Sequence, residues 1–206
     1  MGRERHFEEA QVLEAATQVF AAHGYQGTSL AMLLAATGLG KQSLYNTFGD
    51  KRALYLKAMG CAASRMAYVQ RLMQQAPNGR AAIDQFFGGL LGQCSSTDAA
   101  ERSCVVSSGL LEAIDDVEIR HELLGKWHFT HEMLRAAIER GQKDGSIANP
   151  LGSAALADLL MSLMSGMRVS ARASVDADRL QQVASLGLSA LDLAAGAANP
   201  RREPFT

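Results

Sequence analysis

Residues 28–51 read TSLAMLLAATGLGKQSLYNTFGDK, and this stretch decides how the rest of the chain is organised. It spells two short helices joined by a tight turn. Ser29 is placed to cap the first by accepting a hydrogen bond from an otherwise orphan N–H. Leu30, Leu33 and Leu34 give that helix an apolar side at helical spacing. Thr37-Gly38-Leu39-Gly40 breaks it, because Gly38 can take the positive φ that a helix end needs. The second helix runs from Lys41 to about Thr47, with Leu44 and Phe48 turned toward a core. Its other side carries Lys41, Gln42, Ser43, Tyr45, Asn46 and Thr47, a short cationic and hydrogen-bonding surface with one aromatic. A helix surfaced in this way and braced crosswise by another fits the major groove of double-stranded DNA. Lys41, Gln42, Ser43 and Thr47 are the candidates for contacts at base edges.

Upstream, Phe7, Ala10, Leu13, Ala16 and Phe20 recur every three or four residues and Gly24 stops the run, so a first helix buries one side against the pair. Arg3 and Arg5 precede it in a polar stretch that is either a solvated tail or a minor-groove arm. Downstream, Asp50 caps a fourth helix to about Gln75, ended by Pro77-Asn78-Gly79. Of the whole chain, only this helix visibly belongs to both an N-terminal unit and the C-terminal remainder.

The full order G-Y-x-G-T-S-L, a helix, T-G-L-G-K-Q-S-L-Y-N-T-F, then G-D-K-R-A-L resembles the TetR-type (TetR/AcrR-like) transcriptional regulators over roughly residues 7–58. The resemblance implies a three-helix helix-turn-helix DNA-binding domain over residues 1–50. A larger helical ligand-binding and dimerisation domain would occupy 51–198, with a disordered tail at 199–206. It also implies phosphate contacts from Thr28, Tyr45 and Lys51. Two positions depart from the family pattern. Leu34 stands where a small Ala is usual between the two helices, and Asn46-Thr47 replaces an aromatic-His pair.

Composition agrees. Residues 1–75 hold eight Lys/Arg against five acids, a net of +3, while the remaining 131 carry twelve against sixteen, a net of −4. The basic excess therefore lies with the helix pair. Three cysteines, an odd number, and the lack of an apolar signal segment point to a reducing cytoplasm without structural disulfides. The most apolar piece, Leu159–Met167, is bounded by Asp158 and Arg168, so no membrane span is expected. Beyond residue 75 the periodicity stays helical, with segments over 81–94, 104–114, 117–143, 150–173 and 175–195. No alternating β-branched run occurs, so the predicted class is all-α.

Within the second domain the resemblance implies a ligand pocket. Phe86, Phe87, Leu90, Trp127, Met133, Met161 and Met164 offer aromatic and flexible thioether surface for it, although each alone also reads as plain core. Cys104 opens a helix beside Arg102, where a thiol acidifies and becomes reactive; some relatives carry a Cys at the matching place. The opposing reading is an inert buried thiol. His121, His128 and His131 with Glu118 form a weak metal set, against which stands a simple polar stripe. Gly40-Lys41 is not a phosphate loop, since position 35 is Ala and Gln42 stands where Ser or Thr is required. No catalytic order of residues and no cofactor motif is present, so neither an enzyme nor a cofactor is expected.

The last two helices are rich in small residues, Leu and Met. Leu156, Leu159, Leu160, Leu163, Met167, Val183, Leu186, Leu188 and Leu191 are expected to form a homodimer interface. The overall expectation is a dimeric repressor, released from a palindromic operator by a small-molecule effector. An electrophile- or redox-sensing regulator acting through Cys104 is the alternative within the same class. From another class, the alternative is an all-α carrier or enzyme for hydrophobic small molecules.

Overall fold

The computed structural model describes residues 2–98, 102–112 and 114–194, with side chains from residue 9 onward. The expected tail at 199–206 and the side chains of Arg3, Arg5 and Phe7 lie outside the described residues. Among those described, every regular element is helical. They are α1 (Gly2–Gly27), α2 (Leu30–Thr37), α3 (Lys41–Phe48), α4 (Lys51–Gln75), α5 (Gly79–Cys94), α6 (Val105–Leu110), α7 (Val117–Asp144), α8 (Ser153–Arg172) and α9 (Ala177–Ser189). A 3-10 turn, Ala190–Asp192, comes after α9. The all-α class is thus the observed one. Helix α1 starts at Gly2, where the sequence suggested a tail up to Phe7.

The helix boundaries arise from local chemistry. Ser29 accepts from the Met32 N–H at 3.2 Å, while the Met32 thioether accepts from the Ser29 N–H at 3.4 Å. Gly38 ends α2 at φ 68°, a left-handed conformation that favours a residue without Cβ. Asp50, Asn78, Asp116 and Asp176 cap α4, α5, α7 and α9 through their side-chain oxygens. Gly24 breaks α1 at φ 73°, and one further turn continues to Gly27. Helix α6 is shorter than its periodicity suggested. Its end tightens into 3-10 geometry, with Leu111 and Glu112 donating to Ser108 and Gly109.

The core divides in two, but not at residue 50. One cluster joins Phe20, Leu33, Leu44 and Phe48 to Leu54, Tyr55 and Met59 of α4 and to Val105, Ile119 and Leu123 of α6 and α7. The other gathers Met73, Ile83, Phe87, Leu134, Ile138, Leu160, Leu180 and Leu191 from α4, α5, α7, α8, α9 and the closing turn. Each fully buried large side chain stabilises its cluster by about 1.5–3 kcal/mol. The first core is therefore shared between the N-terminal helices and elements more than fifty residues away.

Polar ties cross the same seam. The Glu112 carboxylate accepts from the Tyr25 and Gln26 N–H groups at 2.9 and 3.2 Å, closing the break at Gly24. Ser108 donates to the Ala21 carbonyl at 2.8 Å, and Arg172 of α8 donates to the Ala22 carbonyl at 3.0 Å. Arg52 pairs with both Asp116 and Glu118 at the start of α7. The expectation that α4 alone links the two parts is corrected: α6, the start of α7 and the end of α8 all grip α1 or α4.

Candidate functional site

Two surfaces are candidates for function, the exposed side of α3 and a cavity walled in part by α1. Leu44 and Phe48 pin α3 inward, and this leaves Lys41, Gln42, Ser43, Asn46 and Thr47 exposed, with Tyr45 half-buried. The Gln42 amide donates to the Asn46 side-chain oxygen at 3.3 Å, one turn along, so the two amides share one polar stripe. Gly40 supplies no side-chain cap to α3, which leaves the first N–H groups to an external acceptor.

The cations around α3 have different jobs. Lys41 is exposed. The Lys51 ammonium lies 4.9 Å over the Tyr25 ring, and burial pulls its pKa below the ordinary lysine value while Glu112 opposes that. Lys57, which the sequence reading passed over, donates to the Thr47 carbonyl at 3.3 Å and covers the Phe48 ring, so it closes the C-terminus of α3. Arg52 is drawn away to α7. Thr28 is not on the surface: it is buried, and its hydroxyl donates to the Gly24 carbonyl at 2.6 Å, supporting the entry into α2.

The inner surface is a cavity of about 770 Å³. It does not sit wholly within the second domain. Thr17, Gln18 and Ala21 of α1 form one wall, and α4, α5, the 103–107 turn, α7 and α8 supply the rest. Of the residues expected to line it, Cys104, Trp127 and Met164 do so. Phe86, Phe87, Leu90 and Met161 are instead packed into the second core, and Met133 reaches a smaller cleft of about 440 Å³ beside α4. The reason is helical phase. On α5, the small Gly89 and Gly92 face the cavity while the large apolar residues face inward.

Cys104 is the N-cap of α6. Burial pushes its thiol up, but the Arg168 guanidinium and the Val106 and Ser107 N–H groups more than offset this, and the pKa falls below the ordinary thiol value. The cation concerned is Arg168, not the neighbouring Arg102. By contrast, burial raises the pKa of both Cys61 and Cys94. The histidines do not gather. His131 Nε2 lies 3.1 Å from Asp158, and among the described residues no three His, Cys, Asp or Glu side chains come together as a metal set.

Helices α8 and α9 each present two faces. Leu156, Leu160, Met167, Leu188 and Leu191, expected at an interface, are buried in the second core of the protomer itself. Leu159, Val183 and Leu186 are exposed, as is Val169, with Leu163 half-buried among them. Among the described residues, no helix is long and apolar enough to cross a membrane.

Comparison with known proteins matches residues 12–58 to the model described as bacterial regulatory proteins, tetR family. Over 198 residues, 93% of this chain and the whole of the relative, it is 31% identical to the HTH-type transcriptional regulator YezE of Bacillus subtilis. The chain belongs to the TetR family. A second relative, the HTH-type transcriptional repressor ComR of Escherichia coli, is 25% identical over 91% of this chain and 90% of its own. Among solved structures, a cysteine mutant of the TetR family regulator CifR, complexed with a 26 bp double-strand operator DNA, superposes with a TM-score of 0.77. It is 28% identical and covers 87% of this chain and 94% of its own.

Sequence reading missed Arg168, Glu112 and Arg172. Arg168 carried a signal: it stands four residues after Met164, hence on the same side of α8. Glu112 and Arg172 carried none, because their partners lie 87 and 150 residues away.

Proposed function

We propose that this TetR-family regulator is a repressor that binds a palindromic operator as a homodimer and is released by a small-molecule effector held in the seam cavity. The observation that carries the reading is the cavity's position. Its walls include α1 of the DNA-reading unit together with α4, α7 and α8, so a guest acts directly on the placement of that unit. Candidate DNA contacts are Lys41, Gln42, Ser43, Asn46 and Thr47 near base edges, with Tyr45 and Lys51 flanking them on the phosphates. The operator-bound CifR relative supports double-stranded DNA as the partner.

The exposed Leu159, Val183 and Leu186 on α8 and α9 are the proposed dimer face. Leu186→Arg should give a folded monomer with a collapsed operator affinity. Leu191→Arg should unfold the chain instead, since that side chain is in the core. A folded Leu186→Arg monomer that keeps full operator affinity would refute the dimeric reading.

The direct test is mobility shift with DNA flanking the gene, followed by titration of any cavity ligand with and without operator. Effector and operator must weaken each other by the same factor. Equal ligand affinities in the two states would remove the release mechanism.

The acidified Cys104 at the cavity wall supports a second reading, a covalent one. With iodoacetamide as probe, the thiolate sulfur bonds to the methylene carbon and iodide leaves. Alkylation of the native chain should release operator DNA, and Cys104→Ser should abolish the effect. Unchanged release in that variant removes the reading.

A further inference from the structure

Among the described residues, the wall of the seam cavity holds three cations, and two of them meet a carboxylate. Arg65 pairs with Glu14, and Lys126 donates to Glu122 at 2.5 Å. Arg168 has no carboxylate among the described residues. Its one hydrogen bond among the described residues is a donation from Nη2 to the neutral Gln93 amide oxygen at 3.2 Å, and its charge otherwise acts on the Cys104 thiol. Its Nε and Nη1, which carry three of the five guanidinium N–H groups, are buried without an acceptor. A partly buried cation left so poorly satisfied is costly, and a carboxylate in the adjoining space offsets that cost through a charge-assisted hydrogen bond.

The rest of the wall limits what can bring that carboxylate. Among the described residues Glu14 is the one wall acid, and Arg65 already engages it. Trp127, Phe129, Met66 and Met164 supply aromatic and apolar surface, and the other polar side chains of the wall, Thr17, Gln18, Ser107 and Thr130 among them, are neutral. From this we infer that the cavity takes a small organic acid, with a flat apolar body against Trp127 and a single carboxylate on Arg168 in place of Gln93. A cavity of about 770 Å³ has room for a ligand of two or three fused rings. The inference rests on the seam cavity being the effector site proposed above, and it adds the chemical class.

The experiment is calorimetric titration of the full chain with 1-naphthoate and with its neutral isostere 1-naphthamide. The native protein should prefer the acid by about ten-fold or more. Arg168→Met, checked by its melting curve, should erase the preference and leave naphthamide affinity in place. Arg168→Lys should keep part of it. Lys126→Met should keep all of it, because Lys126 is already answered by Glu122. Equal affinity for acid and amide overturns the inference. So does an unchanged preference in Arg168→Met, or no binding of either compound. Its failure is separable from that of the release reading. Naphthoate binding through Arg168 without any change in operator affinity sinks release and leaves the charge preference standing. Operator release by naphthamide but not naphthoate does the reverse.

Discussion

The α2–α3 pair and the seam behind α1 are built by different means. The pair is written locally. Ser29 and Met32 are three residues apart, the Thr37 hydroxyl donates to Leu33 four residues back, and Gly38 closes the turn. The seam is written at long range. Glu112 reaches Tyr25 across 87 residues, Arg172 reaches Ala22 across 150, and Arg52 reaches Asp116 across 64. A reading surface must keep one shape, and short-range ties fix shape at little entropic cost. A response element must be able to let go, and polar contacts between distant segments can be exchanged singly without melting a core.

The comparison breaks first at Leu44. Leu44→Ala removes the pin of α3 from the first core and should cost about 2–5 kcal/mol in denaturant unfolding. A loss below about 1 kcal/mol would mean that the pair is not held by its own local anchors. Glu112→Ala comes next. It strands the Tyr25 and Gln26 N–H groups and should cost about 1–3 kcal/mol, while also weakening the mutual effect of effector and operator. If coupling survived intact, the seam would not be the route between the two surfaces.

Lys51 sits on the border, with its ammonium over Tyr25, and it sharpens the division. Lys41→Ala and Lys51→Ala should each lower the salt slope of operator binding by about one. An unchanged slope for Lys51→Ala would assign that lysine to the seam. The smallest effect concerns acid. The Arg52 guanidinium and the α7 N–H groups hold the Asp116 carboxyl at about 2, below its unfolded value. Its contribution is therefore complete above about pH 4 and is lost as pH falls toward 2. Asp116→Asn should flatten that part of a stability–pH curve. An identical curve would show that the Arg52 tie does not hold α7 to α4.

The legibility of the chain obeys the same division. Ser29, Gly38 and Asp50 act on backbone within four residues, so their roles were visible in sequence. On α8, by contrast, the sequence assigns Leu156, Leu159 and Leu160 to one interface, because periodicity alone cannot say which side faces the protomer. Leu156 and Leu160 went inward while Leu159 stayed out, a choice made by α7 and α9 rather than by α8. The cavity was misplaced for a related reason. Phe86 and Phe87 are large enough to line a hollow or to fill one, and only the packing of Met73, Leu134 and Met161 around them decides. Arg168 displaced Arg102 as the neighbour of Cys104 because proximity in space was set by α8, 64 residues further on.

Helix α6 has six residues, hardly more than a turn and a half. A helix this short has almost no persistence of its own in water, so its residence in the fold is lent to it by Ala21, Tyr55 and Leu123. Its order therefore depends on the seam that it helps to build, rather than on its own hydrogen bonds. Cys104 lies at the head of this segment, so a change at the sulfur would bear on a helix whose order rests on its contacts with α1, α4 and α7.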